Sequence, residues 1–327
     1  MDRREFGKLA AGAAIAAPGA AWGQTPGRIY HLGALGPGLA RDENSPEGAT
    51  LVRILGERGY ILGKNLTFDA RGAKGDIAKL PAILGEMKAA KVEVVITMGY
   101  PAAVSARASG LPVVIAFGSG DPVATKLIDS LARPGGNVTG ISDDAAMIST
   151  KRLSLLKQLL PNMRRVAMLW NRDDLGMSLR YGASAKAAQA LGVEVQALGV
   201  REPDDFNGVF EEMDRERPDA ILMVSDVLTI LNRKRIFDYA AAKRIPAIYE
   251  EQQFVRDGGL MSYGADPKES FERAADFVAR IFNGARPADL PFEQPTRYPF
   301  VVNLKTAKAI GLTIPQAMLL RADRVVE

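Results

Sequence analysis

An alternation constrains this chain more than any single motif. From residue 28 onward, short apolar runs rich in Val and Ile trade places with longer amphipathic stretches. The runs Arg28–Leu35, Asn65–Ala70, Val92–Met98, Pro112–Phe117 and Asn137–Ser142 are bounded by Gly, Pro, Asn or Asp and read as strands. A second series follows at Arg165–Trp170, Val193–Leu198, Ala220–Val224, Pro246–Tyr249, Gly259–Tyr263 and Arg297–Asn303. Between them the apolar period becomes helical. Leu153, Leu156 and Leu160 share one face before Pro161, and Phe271, Ala274, Ala275, Val278 and Phe282 form a stripe ended by Asn283-Gly284. Further helices are expected at 47–58, 76–90, 121–132, 177–191, 204–217 and 228–243. Parallel strands need a crossover to be joined, so this order implies α/β units whose parallel sheets are covered on both faces.

The series restarts. Pro134-Gly135-Gly136-Asn137-Val138-Thr139-Gly140 separates the two sets of units; Arg256-Asp257-Gly258-Gly259 precedes a lone strand and helix; the proline-rich Gly284–Pro295 precedes the last strand. At 327 residues the chain is also too long for one ordinary core. The layout predicts two lobes, 28–142 plus 259–286 and 143–258 plus 287–327, joined by three crossings that act as hinges.

Composition excludes several classes. With 42 Lys+Arg against 38 Asp+Glu the excess is +4 and spread along the chain, which is not the footprint of a nucleic-acid binder. There is no Cys, so no disulfide and no thiolate metal site, and the lone His31 cannot form a histidine cluster. No window offers the uninterrupted apolar residues of a membrane span.

Residues 1–23 read as an export signal. Arg3-Arg4 with Phe6 and Lys8 matches the twin-arginine pattern, a weakly apolar Ala/Gly stretch follows, and Ala21-Trp22-Gly23 suits a signal peptidase. The expected location is the periplasm, soluble and without a lipid anchor.

Candidate chemistry gathers at strand ends. Gly33-Ala34-Leu35-Gly36-Pro37-Gly38 has the wrong spacing for a dinucleotide fingerprint, and Gly59–Asn65 is one residue short of a phosphate loop, so no cofactor is expected. Gly99-Tyr100-Pro101-Ala102-Ala103 joins a buried-looking strand to a helix with Pro at its first position, where free N–H groups suit an anion. Gly118-Ser119-Gly120-Asp121 sits at the next strand end; there Asp121 reads either as a cap before Pro122 or as a ligand contact. Asp143, Asp144, Ser225 and Asp226 are further polar groups at strand ends. No Gly-x-Ser-x-Gly elbow or Cys nucleophile exists, and the adjacent carboxylates Glu250 and Glu251 should diverge rather than share a site, so no catalytic residue is assigned.

The chain resembles the periplasmic substrate-binding proteins of ABC transporters, in the family of tryptophan/tyrosine-binding members. The residues that carry this are Gly59-Tyr60…Gly63-Lys64-Asn65, Tyr100-Pro101-Ala102-Ala103 and Asp121-Pro122-Val123-Ala124-Thr125-Lys126-Leu127. Leu131–Ser142, with its Pro-Gly-Gly-Asn-Val-Thr-Gly block, Phe254–Leu260 and Asn303–Ala307 extend the match. The resemblance implies a type I periplasmic-binding fold of two Rossmann-like lobes. It also implies that a small-molecule ligand held between the lobes is delivered to an inner-membrane permease and ATPase; the expected ligand is an amino acid or an aromatic or carboxylate compound, and the expected state is a monomer. Two features depart from the family: the Cys-free signal replaces its lipid anchor, and Asn171-Arg172-Asp173-Asp174 and Val227-Leu228 differ from its polar ligand loops. The other readings are an exported Rossmann-type enzyme and a sensor domain for a membrane partner.

Ligands of two-lobed α/β proteins sit at the carboxyl ends of the strands. Expected contacts are therefore Gly99, Tyr100, Pro101, Ala102, Ala103, Gly118, Ser119 and Asp121 in the first lobe. In the second they are Ser142, Asp143, Asn171, Ser178, Ser225 and Asp226, with Glu250 at the rim. For an amino acid, first-lobe N–H groups would take the carboxylate, and Asp226 or Asp121 the ammonium.

Overall fold

The computed structural model describes residues 27–142 and 145–327. The twin-arginine segment, with Arg3 and Arg4, and Asp143 lie outside the described residues.

The first sheet is built from β1 (Tyr30–Gly36), β2 (Leu66–Gly72), β3 (Val94–Met98), β4 (Val113–Phe117) and β5 (Val138–Gly140). Its spatial order is β2-β1-β3-β4-β5, all parallel. The first helices are α1 (Pro46–Glu57), α2 (Leu80–Ala89) and α3 (Tyr100–Ser109). The second half brings α4 (Ala145–Leu159), α5 (Leu175–Ala190), α6 (Asp205–Arg215), α7 (Val227–Leu231), α8 (Arg233–Lys243), α9 (Gln252–Arg256) and α10 (Pro267–Phe282). Two short helices close the chain, α11 (Leu304–Ala309) and α12 (Gln316–Leu319). The second sheet contains β6 (Arg165–Asn171), β7 (Glu194–Val200), β8 (Ala220–Met223), β9 (Ala247–Tyr249), β10 (Met261–Tyr263), β11 (Phe300–Asn303) and β12 (Arg324–Val326). Its order is β12-β11-β10-β9-β8-β6-β7. Parallel pairing holds throughout except between β10 and β11, where the chain re-enters the sheet antiparallel.

Local sequence explains the elements. β3 is buried at every position, as a central parallel strand demands. Ser45 accepts from Gly48 N at 3.1 Å to cap α1, with Pro46 behind it. Asp266 and Pro267 open α10 in the same way, and its predicted stripe of Phe271, Ala274, Ala275, Val278 and Phe282 is buried on the first sheet beside Tyr30 and Tyr60. α2 and α3 cover the opposite face. The second sheet has α4, α5 and α11 on one face and α6, α8 and α9 on the other.

Two local expectations are corrected. Segment 121–132 is a run of turns, not a helix. Asp121 caps Val123 N and Ala124 N, and Lys126 adopts a φ of 58°, which no helix tolerates. The stretch 228–243 breaks at Asn232 into α7 and α8. The short β12 was not legible.

The crossings also lie elsewhere than the loops suggest. β10 pairs with β9 and β11, so residues 259–263 belong to the second sheet, and the return crossing follows Tyr263. Residues 287–293 stay with the first: Leu290 O accepts from Thr139 Oγ1 at 2.7 Å, Leu290 and Phe292 enter its cores, and Glu293 bridges Ile141. Backbone pairing along the edge of β5 decides this, and it is invisible in a Pro-rich loop read alone. No helix of the described residues is long and apolar enough to cross a membrane.

Candidate functional site

Both sheets repeat one winding. β6 to β10 are ordered as β1 to β5 are, with the second strand outside the first and the third on its other side. Each therefore has a switch point, between β1 and β3 and between β6 and β8, where successive loops diverge and leave a crevice at the carboxyl edge. The two crevices meet. A Cβ added to Gly176, in the first turn of α5, would lie 3.0 Å from Ser119 O and 3.2 Å from Tyr100 Cβ; one added to Gly38 would lie 3.7 Å from Val227.

On the first side, Gly99 N–H donates to Phe117 O at 3.0 Å, which ties the ends of β3 and β4 together. A Cβ on Gly118 would come 3.2 Å from Gly99 N, and both glycines have φ near +80°, a combination that suits no other residue. α3 begins there without a side-chain cap. The Arg41 guanidinium lies 5.6 Å above the Phe117 ring and pairs with Glu47 at 2.9 Å.

On the second side, Asp226 joins the ends of β6 and β8. Its Oδ2 accepts from Asn171 N at 3.0 Å, and its Oδ1 from Leu228 N and Thr229 N at 2.6 and 3.1 Å. Burial nevertheless pushes its carboxyl up to about 7, with the nearby charge of Asp174 adding to the shift. Asp174, the N-cap of α5, is pushed up to about 6 by burial. Tyr100 is raised as well, by burial and then by the charge of Asp174 facing it. Beneath them lies an ionic clamp. Glu250, just beyond β9, accepts from Arg152 at 2.7 Å through one oxygen and from Arg180 at 2.6 Å through the other, while Arg152 also donates to Met223 O at 3.1 Å. Burial opposes the charge on Glu250, but the two guanidiniums outweigh it and hold its carboxyl below the ordinary range.

A family model described as ABC transporter substrate binding protein matches residues 49–326. The chain belongs to that family. This substrate-binding protein is 23% identical over 263 residues to the tyrosine-binding protein of Clostridioides difficile (strain R20291), covering 80% of this chain and 75% of that one. Its fold matches a conserved domain protein from Vibrio cholerae O1 biovar El Tor, with TM-score 0.85 and 24% identity over 91% of this chain and all (100%) of the other. It likewise matches an ABC domain in complex with L-Trp from Streptococcus pneumonia, at TM-score 0.81 and 23% identity, covering 91% and 100% of the two chains.

Within the substrate-binding protein the expected residues fall into three groups. Gly99, Tyr100, Pro101, Gly118, Ser119, Asn171, Ser225 and Glu250 stand at the facing strand ends. Ala102 and Ala103 sit on α3 with their methyl groups in the core under β3 and β4, and the Ala103 N–H is used by Gly99 O at 3.2 Å. The others are engaged in local structure: Asp121 is an exposed cap, Ser178 Oγ donates to Arg172 O at 3.1 Å, and the main-chain N–H of Ser142, a buried residue, donates to Glu293 O at 2.8 Å. Asp226 belongs with these, since its oxygens already accept three main-chain bonds. Sequence reasoning missed Arg41, Arg152, Asp174 and Arg180. A signal existed for the arginines: Arg152 adjoins Leu153 and Leu156 on the stripe of α4, and Arg180 shares a face with Met177 and Ala188. A charge on an otherwise buried stripe needs a buried partner. Among the described residues no His/Cys/Asp/Glu group could hold a metal.

Proposed function

We propose that this chain is the extracytoplasmic receptor of an ABC importer, closing on an amino acid or a related aromatic or carboxylate compound. The carrying observation is that the carboxyl edges of two identically wound parallel sheets face each other within van der Waals reach. The L-Trp held by the streptococcal neighbour and the name of the clostridial relative support an aromatic amino acid. The candidate contacts are the strand-end groups Gly99, Tyr100, Gly118, Ser119, Asn171, Ser225 and Glu250. Export through the twin-arginine signal to a periplasm, and delivery as a monomer to a permease and ATPase, complete the reading.

A ligand that binds only the native state raises the melting temperature by mass action. A thermal-shift screen of the twenty L-amino acids with aromatic and aliphatic carboxylic acids should return at least one stabilising compound. No shift from any of them at millimolar concentration refutes the proposed ligand class.

A further inference from the structure

Amino-acid recognition requires an acceptor for the ammonium group, and the carboxylates of the crevice can be sorted by what they already do. Asp226 is saturated by three main-chain donors. Asp121 is an exposed cap, and Asp174 caps Met177 N at 3.1 Å. Glu47 pairs with Arg41, and Glu250 is held between two arginines. Glu251 differs from all of them. It occupies the N-cap position of α9 yet makes no cap bond, and its side chain has no hydrogen bond or ion pair among the described residues. It is partly buried beyond β9, and charges from both sides reach it: Arg41 and Glu47 from the first, Glu250 and Arg233 from the second. The pairing of β8 with β9 ends at Leu222 and Ile248; continued three residues further it would set Ser225 against Glu251, and Ser225, 9% exposed, has no partner for its Oγ among the described residues.

We infer that Glu251, at the end of β9, accepts the ammonium group of the ligand together with Ser225 Oγ from the end of the neighbouring β8, and that the protein therefore selects compounds bearing a primary amine. This rests on the crevice being an amino-acid site. The Arg152–Glu250–Arg180 clamp fixes the turn that carries Glu251, so the acceptor is held in place before the ligand arrives. Burial pushes the Glu251 carboxyl up to about 7, opposed by Arg41 and reinforced by Glu250 and Glu47, with Arg233 pulling it down again. A cation seated against it lowers that value, so binding at pH 7 releases a fraction of a proton.

Calorimetry with L-tyrosine, L-tryptophan and the deaminated acid 3-(4-hydroxyphenyl)propanoate tests the assignment on wild type and Glu251→Gln. Losing a buried charged contact typically weakens binding by roughly 30-fold or more. The expected result is that loss for the amino acids in Glu251→Gln, with the deaminated acid within threefold of wild type. Titrations at pH 7 in buffers of different ionisation enthalpy should also show proton release in wild type and none in the variant. Because the Glu251 side chain makes no hydrogen bond or ion pair among the described residues, the variant should melt within about 2 °C of wild type, which separates a binding loss from misfolding. If wild type binds an amino acid and Glu251→Gln binds it within threefold, or if the deaminated acid binds as tightly as the amino acid, the inference fails while the amino-acid reading stands. If wild type binds no amine-bearing probe, both fall.

Discussion

Replacing Glu250 by Gln keeps the shape of the side chain and removes its charge. Two guanidiniums then lose their shared counter-ion: Arg152, with 0% of its surface exposed, and Arg180, with 4%. Removing one partner from a buried ionic cluster costs about 3–5 kcal/mol, because the remaining charge stays out of water. Spread over a folding unit of about 150–250 residues, each kcal/mol lowers the melting temperature by roughly 2–4 °C, so the variant should melt about 10 °C below wild type. The pH dependence carries the sign. Glu250 is held below its ordinary value of 4.5, so its stabilising contribution is present above that pH and is lost as the pH falls through the lowered value. The gap between variant and wild type should therefore be full at pH 7 and shrink in acid. Glu57→Gln is the control: the Arg53–Glu57 pair is 51% and 55% exposed, and its loss should change stability by less than about 0.5 kcal/mol. Scanning calorimetry and urea titration at pH 7 and pH 4 read both. A Glu250→Gln melting point within 2 °C of wild type at pH 7 would show that the clamp contributes nothing.

Other variants probe the closing surface and its hinges. Gly176→Val puts bulk 3.0 Å from Ser119 O and 3.2 Å from Tyr100 Cβ, so it should prop the two sheets apart, raise the radius of gyration in X-ray scattering and weaken ligand binding; unchanged scattering and affinity would contradict the contact. Asp174 and Asp226 have raised carboxyl values of about 6 and about 7 against 3.8 unfolded, so the stability they contribute is fully present below 3.8 and lost as the pH rises through 6 to 7. Urea titrations at pH 5 and pH 8 should show a smaller loss with rising pH in Asp174→Asn than in wild type. Glu269, 5% exposed, accepts from Thr296 N at 3.1 Å, Thr296 Oγ1 at 2.7 Å and Arg297 N at 2.8 Å, which links α10 to the third crossing. Glu269→Ala should cost about 2–4 kcal/mol in urea titration and speed hydrogen exchange at 294–298; unchanged exchange there would rule out the link.

Every strand expected from the apolar runs is present, because a central parallel strand must be apolar at nearly every position and its Gly, Pro and Asn boundaries are read locally. The stripes of α4 and α10 were legible for the same reason. Segment 121–132 was not, since Leu127 and Ile128 at buried positions satisfy either a helix or a set of turns, and the left-handed Lys126 has no sequence signature. Sequence also located the strand-end loops, because winding order places them at one edge. It could not assign their side chains. Asp121 and Asp226 looked like ligand acceptors and are caps, while the side chain of Glu251, read as half of a diverging pair, has no partner among the described residues. Arg152 and Glu250 are ninety-eight positions apart in the chain and 2.7 Å apart in space. Local sequence sets which backbone conformations are accessible, and that determined the two α/β series by itself. Which carboxylate is neutralised, capped or left open depends on partners brought in by crossovers and return crossings, and only the tertiary structure decides that.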